Sequence, residues 1–526
     1  MHRLARSVPP GVLAAGPALL ALLVGPLLLG GPGILELVAD GILRAVPLAA
    51  FEVALAALGP LAKGLLFLAV AVGAVLAGGL LGAALARSGP VDGRSAIVRG
   101  FFAAGAALAL AELFVLPLAG AGFAGMDYGG SAVALHLPIA VAAALFGATF
   151  ALVEPARRRP SRVVSAAIAA TEVTEATPAT GIPRRSVLAG GLALAALGAS
   201  GIVAVGRVTR AAVGGRVPDR RPAAPGGFGT TPAITPIDDH YVVAKGLAPP
   251  SIDGSAWRLA VDGLVGRALD LSLPEVQALA SAAEARTLIC ISNPVTEFGP
   301  YAGTQLWTGT PVAAVIEAAG GPSPDARFVL WTSADGYTES IPLDVALDPR
   351  SLLTWGMGDV GAPLPVEHGY PLRVLLPGRY GMKQPKWLTG ITLAAEDVDG
   401  YWEERGWDRE AVVRTWSRID DPRDGDTVAA GRPLPVFGVA FAGERGISGV
   451  EMSPDDGATW IAAELETPAS ALAWVRWRAS VAPPAAGAVL LRVRATDGTG
   501  ALQAEAPEPP LPRGAAGWQR VRVIAG

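Results

Sequence analysis

The stretch that decides the fold is EHGYPLRVLLPGRYGMKQPKWLTGI, residues 367–391. It places one histidine, four cationic side chains and four glycines around an apolar run, Leu372 to Leu376, which is typical of a buried strand. Cationic side chains donate charge-assisted hydrogen bonds, and glycines let backbone N–H groups approach a ligand closely. The grouping therefore predicts a binding site for an anionic ligand. A set of ordinary surface cations is the alternative.

A second informative stretch contains Cys290, the only cysteine of the chain. It is TLICISN, residues 287–293, an apolar strand-like run that opens into a polar turn. A lone thiol at the end of a strand can supply one thiolate to a metal such as molybdenum or copper. The alternative is a buried core cysteine that behaves as a small hydrophobe.

Three motifs together resemble the sulfite oxidase family of molybdopterin enzymes, whose members include the catalytic subunit of periplasmic methionine sulfoxide reductase and plant nitrate reductase. The motifs are LICISN (288–293), WTGTP (307–311) and the stretch 368–388, and the resemblance covers residues 230–526. It implies a molybdenum–molybdopterin cofactor, with Cys290 as the metal ligand and a catalytic residue. Two-electron oxygen-atom transfer at the metal is the chemistry that such a cofactor supplies.

The same resemblance implies which residues contact the pterin. They are His368, Arg373 and the turn Gly381-Met382-Lys383, together with Tyr241 and Ser333. In these roles Arg373 would bind the cofactor phosphate as a fork, and Lys383 would bind it as a point charge.

The chain departs from the family where sulfite would bind. Val243 and Pro294 with Val295 occupy places where sulfite oxidases carry arginines, and Trp407 replaces a tyrosine of the catalytic site. Each missing charge-assisted donor is worth about 1.5 to 3 kcal/mol. We therefore expect an apolar pocket and a neutral substrate such as an S-oxide or N-oxide. The alternative is a sulfite oxidase whose anion site is rearranged around Lys245 or Arg379.

Composition divides the chain. Hydrophobic residues make up 51% and charged residues 17% of it, and the mean hydropathy is +0.43, which indicates membrane spans. The excess is concentrated before residue 206, whereas Ile34 to Leu58 mixes apolar and charged positions and is expected to lie at the membrane interface. Five segments are long enough to span: roughly Val12 to Leu29, Leu61 to Ala86, Val98 to Leu118, Ala132 to Val153 and Val187 to Val205.

Arginine placement predicts the orientation. Arginines cluster before the first span and in the second and fourth connections, whereas Ala119 to Ser131 has no lysine or arginine. The positive-inside rule then places everything after the fifth span outside the cytoplasmic membrane. The pair Arg184-Arg185 is either a twin-arginine export signal or the positive-inside anchor of the last span. A bis-histidine haem is excluded, because only His136 lies within a predicted span.

The sequence predicts a multi-domain protein. Residues 1–206 form an α-helical transmembrane region, 207–236 a linker, 237–420 an α+β molybdopterin domain, and 421–526 an immunoglobulin-like β-sandwich of dimerisation type. In the α+β domain a capped helix is expected over Leu273 to Ala283. In the sandwich, strands are expected at Leu434 to Phe441, Gly449 to Ser453, Leu472 to Arg478, Val489 to Ala495 and Gln519 to Ile524.

These expectations lead to a membrane-anchored, extracytoplasmic molybdenum oxidoreductase that acts on a small molecule. Because the sequence contains no second redox motif, we expect a separate electron partner, either a cytochrome or a quinone-linked protein. A homodimer is left open, and the net charge of −4 argues against nucleic acid. The alternative from another class is an inactive membrane scaffold that only binds the cofactor.

Overall fold

The computed structural model describes residues 9–29, 33–46, 50, 61–86, 93–119, 121, 123–125, 132–158, 227–246, 249–295, 300–481 and 486–526. The chain divides into two compact units, Met1–Ala212 with Gly246–Ser251, and Val213–Lys245 with Ile252–Gly526. The predicted span at 187–205, the pair Arg184-Arg185 and the first part of the linker lie outside the described residues, as does the end of the expected interfacial segment.

The described part of the first unit is helical. Its helices are α1 Pro10–Leu29, α2 Ile34–Ala45, α3 Leu61–Ala86, α4 Gly93–Leu110 and α5 Ala132–Arg158. After α4, a π-helical turn Ala111–Val115 and a short helix Leu116–Leu118 continue the chain. Three stretches are long and apolar enough to cross a membrane, Gly64–Leu85, Ile97–Leu118 and Leu135–Val153, whereas the apolar helix Pro10–Pro26 is shorter. The expectation of long apolar helices is confirmed for these three segments.

Small residues let the helices of the first unit approach closely. A Cβ on Gly82 of α3 would lie 2.3 Å from Gly11 Cα of α1, and a Cβ on Gly147 of α5 would lie 2.3 Å from the Gly100 carbonyl oxygen of α4. Such contacts are typical of packed membrane helices. His136, the histidine of the predicted spans, has its Nδ1 atom 2.9 Å from Glu112 Oε1. This histidine is therefore part of a local polar pair.

The described part of the second unit is built mainly from strands. They are β1 Leu259–Gly263, β2 Leu269–Leu271, β3 Ala282–Ile289, β4 Ala302–Pro311, β5 Phe328–Ser333, β6 Thr338–Pro342, β7 Leu352–Met357, β8 Arg373–Leu375, β9 Leu388–Ala394, β10 Trp416–Asp421, β11 Thr427–Val428, β12 Leu434–Phe441, β13 Ile447–Ser453, β14 Ile461–Ala462, β15 Glu464–Leu465, β16 Val475–Val481, β17 Gly487–Asp497 and β18 Gln519–Ala525. Its α-helices are α6 Leu273–Leu279, α7 Val312–Ala318 and α8 Leu343–Ala346.

Two sheets form the α+β part of this unit. One has the order β2-β1-β9-β5-β6, in which β1 and β9 run parallel, and the other is the antiparallel sheet β3-β4-β7-β8. Helix α6 begins with a capping box between Ser272 and Glu275 and ends at Leu279. It is therefore shorter than predicted, because Ala282 already pairs with Gly309 in the β3–β4 ladder.

Two further sheets form the C-terminal part. Their strand orders are β10-β12-β16-β15 and β11-β18-β17-β13-β14, and both contribute to one buried core that includes Val436, Trp477, Leu491 and Val523. A two-sheet sandwich is thus present, and its immunoglobulin type stays a prediction. Strand β12 has the predicted bounds, Leu434–Phe441.

Two predicted boundaries differ from the structure. Strand β10, Trp416–Asp421, pairs with β12 of the sandwich, so the boundary expected after Asp420 lies inside a sandwich strand. The end of the predicted linker is packed on the second unit, since Thr235 N donates to Thr304 O at 2.7 Å and Trp474 Nε1 donates to Ala233 O at 3.2 Å. Both boundaries are set by hydrogen bonds between segments that are far apart in the sequence.

Candidate active site

Cys290 lies directly after β3, where the chain turns. Its N–H donates to Tyr301 O at 2.9 Å, and its carbonyl accepts the N–H of Asn293 at 3.0 Å. The Asn293 side chain closes the turn by accepting the N–H of Tyr301 at 2.9 Å. The TLICISN run therefore holds the thiol at a fixed strand end, as the metal-ligand prediction requires.

The thiol is buried among neutral hydroxyl groups. Cys290 Sγ lies 3.1 Å from Ser292 Oγ, and burial raises the pKa of the thiol. Burial also raises the pKa of Tyr301 and of Tyr380 to about 12, and it raises the pKa of Tyr241 further. Repulsion between each phenolate and the Cys290 thiolate acts in the same direction. The phenols therefore stay protonated at neutral pH and can donate hydrogen bonds.

A second group of side chains surrounds Arg373 at the start of β8. The rings of His240 and His368 meet edge to face at 5.2 Å, and the Arg373 guanidinium lies 5.2 Å from the Trp307 ring centre. Burial, together with the positive charge of Arg373, lowers the pKa of His240 to about 4. Burial lowers the pKa of His368 to about 2, and so does the repulsion that its protonated ring would meet from a protonated His240 and from Lys386 and Arg373. Both imidazoles are therefore neutral at physiological pH.

Arg373 is a buried cation that lacks a carboxylate partner among the described residues. Its guanidinium donates to two carbonyl groups, His368 O at 3.0 Å and Gln384 O at 3.4 Å, and its buried Nε has no partner. Burial lowers its pKa to about 10, so the side chain stays charged at neutral pH. A buried charge without such a partner is costly, and an anionic ligand would offset that cost, so the cofactor role of Arg373 stays a prediction.

The turn Gly381–Lys383 lies against the strand end that carries Cys290. A Cβ on Gly381 would sit 2.9 Å from the Tyr241 hydroxyl oxygen and 3.5 Å from Ile289 O. The Tyr337 hydroxyl donates to Met382 O at 2.7 Å and fixes the turn from its other side. Tyr241 and this turn, which the sequence predicted as cofactor contacts, are therefore neighbours.

Lys383 has different partners from those expected. Its ammonium donates to Glu339 Oε1 at 2.7 Å, to Ser340 O at 3.1 Å and to Glu403 Oε1, and its side chain is 2% exposed. An ammonium has three N–H donors, and all of them are used. These partners differ from the expected cofactor phosphate, and the role of Lys383 as a cofactor contact stays a prediction.

The remaining predicted site residues are placed as follows. Ser333, at the end of β5, is buried and its Oγ has no partner. Trp407 is buried with an unpartnered Nε1, and its ring packs edge to face on Trp402 at 6.5 Å. Val295 is buried and Val243 is partly exposed. Their roles as pocket walls stay predictions.

Two kinds of residue escaped the sequence analysis. His240 joins His368 only through the fold, although its place beside Tyr241 and the rarity of histidine, four in the chain, were available signals. The carboxylates of Glu339 and Glu403 meet Lys383 from distant segments, and the sequence carries no sign of that meeting.

Two family models match this chain. The family model of the oxidoreductase molybdopterin binding domain matches residues 246–402, and that of the Mo-co oxidoreductase dimerisation domain matches residues 411–523. Mitochondrial sulfite oxidase of Rattus norvegicus is 29% identical over 296 residues, which are 48% of this chain and 54% of that protein. The chain thus spans about half the length of the curated sulfite oxidases it matches.

A shorter relative is matched over most of its length. The uncharacterized oxidoreductase YuiH of Bacillus subtilis is 32% identical over 166 residues, which are 32% of this chain and 79% of that protein. Among solved structures, the sulfane dehydrogenase SoxCD of Paracoccus pantotrophus aligns with a TM-score of 0.48 at 20% identity, over 66% of this chain and 90% of that one. The two family models and these relatives show that the chain belongs to the sulfite oxidase family of molybdopterin-dependent oxidoreductases, whose cofactor is molybdenum–molybdopterin.

Proposed function

We propose that this chain is a membrane-anchored molybdenum oxidoreductase that transfers oxygen atoms to or from a small neutral substrate, such as an S-oxide or N-oxide, outside the cytoplasmic membrane. One observation carries the proposal. The buried thiol of Cys290 lies at a strand end beside Tyr241 and the Gly381–Lys383 turn, and Tyr241 in turn neighbours the uncompensated cation Arg373.

The described residues fit the cofactor. Buried polar atoms without partners among the described residues are available to a ligand, and five residues of the candidate site carry them: His240 Nε2, Asn293 Nδ2, Ser333 Oγ, Arg373 Nε and Trp407 Nε1. Cys290 would supply the thiolate, Arg373 and His368 the contacts to the anionic pterin, and the Gly381–Lys383 turn its backbone. When bound, molybdenum–molybdopterin supplies two-electron oxygen-atom transfer chemistry.

The protein groups near Cys290 support a neutral substrate. Tyr241 and Tyr301 hold their protons because burial raises their pKa values. Neutral hydroxyls can donate to the oxygen of an S-oxide or N-oxide, but they compensate a buried anion less well than a guanidinium does. Trp407, Val243, Pro294 and Val295 are proposed as the apolar walls of the substrate pocket.

Membrane anchoring and assembly belong to the same proposal. The three long apolar helices support an anchor, with the second unit on the extracytoplasmic side. A separate cytochrome or quinone-linked protein would exchange electrons with the site. The match of residues 411–523 to a dimerisation domain supports a homodimer.

Metal analysis and a substrate screen test the proposal. The purified full chain is expected to contain molybdenum and to release a pterin that becomes fluorescent on oxidation. With an artificial redox dye, it is expected to turn over neutral sulfoxides or N-oxides. Absence of both molybdenum and pterin would refute the enzyme, whereas a loaded protein that turns over only sulfite would refute the neutral substrate.

A further inference from the structure

A buried cluster of three charged side chains lies beneath the Gly381–Lys383 turn. The side chains of Lys383, Glu339 and Glu403 are 2%, 0% and 4% exposed, respectively, and the one ammonium is hydrogen-bonded to both carboxylates. These residues come from the turn itself, from β6 and from the short helix Glu403–Arg405. Two anions and one cation leave a surplus negative charge in a dry site, which is unfavourable unless a proton neutralises it.

The two carboxylates also lie close to each other. A Cβ on Gly400 would sit 2.5 Å from Glu403 Oε2 and 2.8 Å from Glu339 Oε1, so both groups pack against the same glycine. Glu403 Oε2 is buried without a partner. The negative charge of Glu403 therefore opposes ionisation of the neighbouring Glu339 carboxyl group.

The cluster is connected to the turn by two routes. Lys383 belongs to the turn, and the Tyr337 hydroxyl lies 3.2 Å from Glu339 Oε2 while donating to Met382 O at 2.7 Å. A change of charge in the cluster therefore acts on the backbone that the cofactor is expected to contact.

We propose that Glu339 keeps its proton in this buried cluster beside Glu403 and Lys383, and that the cluster positions the Gly381–Lys383 turn, so that cofactor retention falls when the proton is lost. The part of this inference that concerns cofactor retention rests on the proposed function, whereas the proton on Glu339 does not. Both carboxylates are positioning residues, since they act through Lys383 and Tyr337.

Electrostatics agree with the geometry. Burial, with the charge of Glu403 acting against that of Lys383, raises the pKa of Glu339 from 4.5 to about 8. The other titratable groups that face the cluster are Tyr337, Asp335, Asp397 and Arg409. Of these acids, Asp335 also has a pKa raised by burial, so it needs its own control.

The sign of the pH dependence follows from linkage. A glutamate that retains its proton up to pH 8 in the folded state, but loses it near pH 4.5 when unfolded, stabilises the fold fully below pH 4.5. That contribution declines as the pH rises towards 8 and is then absent. One proton corresponds to a change of about tenfold in the unfolding equilibrium constant per pH unit within this window.

The experiment compares four variants of the full chain in detergent between pH 5 and 9. Thermal unfolding followed by tryptophan fluorescence reports the proton on Glu339, and the released pterin reports cofactor retention. Glu339→Gln replaces the protonated carboxyl group by a neutral amide, and Glu403→Gln removes the negative charge that opposes ionisation of Glu339. Each is therefore expected to flatten the pH profile and to match or exceed the wild-type midpoint at pH 9. The double variant leaves Lys383 without an anion and is expected to unfold below either single variant at every pH.

Two controls complete the design. Glu404→Gln removes the exposed neighbour of Glu403 and is expected to keep the wild-type pH profile. Asp335→Asn measures the share of the slope that belongs to the other acid with a raised pKa, and Glu339→Gln is expected to flatten the profile more than Asp335→Asn does. A wild-type slope in Glu339→Gln, an equal flattening by Asp335→Asn, or single variants as unstable as the double one would overturn the proton on Glu339. A loaded wild type that retains its pterin equally at pH 6 and pH 9 would overturn the link to the cofactor. A wild type without any pterin would contradict the proposed function instead, and the unfolding profiles would still decide the proton on Glu339.

Discussion

Arg373 and Lys383 come from the same stretch of sequence, and both are buried cations. Among the described residues, only Lys383 has carboxylate partners. Lys383 has two carboxylates and a carbonyl for its three N–H donors. Arg373 has two carbonyl groups, an aromatic ring and an unpartnered Nε. The first charge is balanced by carboxylates, whereas the second has no carboxylate partner among the residues that the structure describes.

We propose that this difference separates a structural cation from a ligand-binding one. Breaking a compensated pair leaves buried charges behind and costs stability, while removing an uncompensated charge relieves a desolvation cost that a bound anion would offset. Substitution of Lys383 should therefore mainly lower the stability of the protein, whereas substitution of Arg373 should mainly lower its cofactor content. The following experiments test that separation, beginning with Cys290, the proposed metal ligand.

The largest effect is expected for Cys290→Ser. A hydroxyl is a harder ligand than a thiol and ionises less readily, so turnover should fall by roughly a thousandfold or more. The fold should persist, because serine is close in size and Ser292 can still contact it. Dye-coupled activity and far-ultraviolet circular dichroism measure the two quantities. Wild-type rates in the serine variant would show that Cys290 is only a core residue.

A large loss of stability is expected for Lys383→Met. Two buried carboxylates lose their cation, and breaking such a cluster costs about 3–5 kcal/mol. Urea unfolding measures the loss. Lys386→Met is the matched control, because Lys386 belongs to the same stretch but is only partly buried, and it donates to Glu367 O at 2.9 Å. Equal stability of the two variants would mean that the Lys383 cluster contributes nothing.

A third prediction concerns substrate charge. If the cofactor occupies Arg373, sulfite has to find another cation, and losing two charge-assisted contacts costs on the order of 3 kcal/mol, or roughly a hundredfold in kcat/KM. A small neutral sulfoxide should therefore exceed sulfite by that factor in dye-coupled assays. If sulfite wins, Lys245→Met and Arg379→Met would show which cation binds it.

Parts of this architecture could be predicted from the sequence because they depend on local pattern. The alternation of Leu434 to Phe441 predicts β12 with the bounds that the structure has. The helix predicted after Ser272 ends earlier than expected, because pairing of Ala282 with Gly309 overrides the helix propensity of the alanine-rich segment. The pattern within a segment therefore predicts its secondary structure, whereas the sequence does not show where pairing with a distant segment will override that pattern.

The candidate site shows the same limit. Cys290, His368, Arg373 and Gly381 stand in motifs, so the sequence could single them out. Whether a cation is compensated depends on side chains that arrive from elsewhere, as Glu339 and Glu403 do for Lys383. The sequence therefore predicts equal roles for Arg373 and Lys383, and only the tertiary structure distinguishes them.

The last and smallest effect is expected for Arg373→Met, which makes the same substitution as Lys383→Met on the uncompensated side. Loss of a charge-assisted contact should weaken cofactor binding by about 1.5–3 kcal/mol, or about tenfold or more. The unfolding free energy of the cofactor-free protein should hold or rise, because a buried charge without a carboxylate partner among the described residues is removed. Arg373→Lys keeps the charge but loses the fork, so its pterin content should lie between wild type and Arg373→Met. Pterin fluorescence and urea unfolding on the same preparations separate the two quantities. Full pterin content in Arg373→Met, or a loss of stability as large as that of Lys383→Met, would erase the distinction between the two cations.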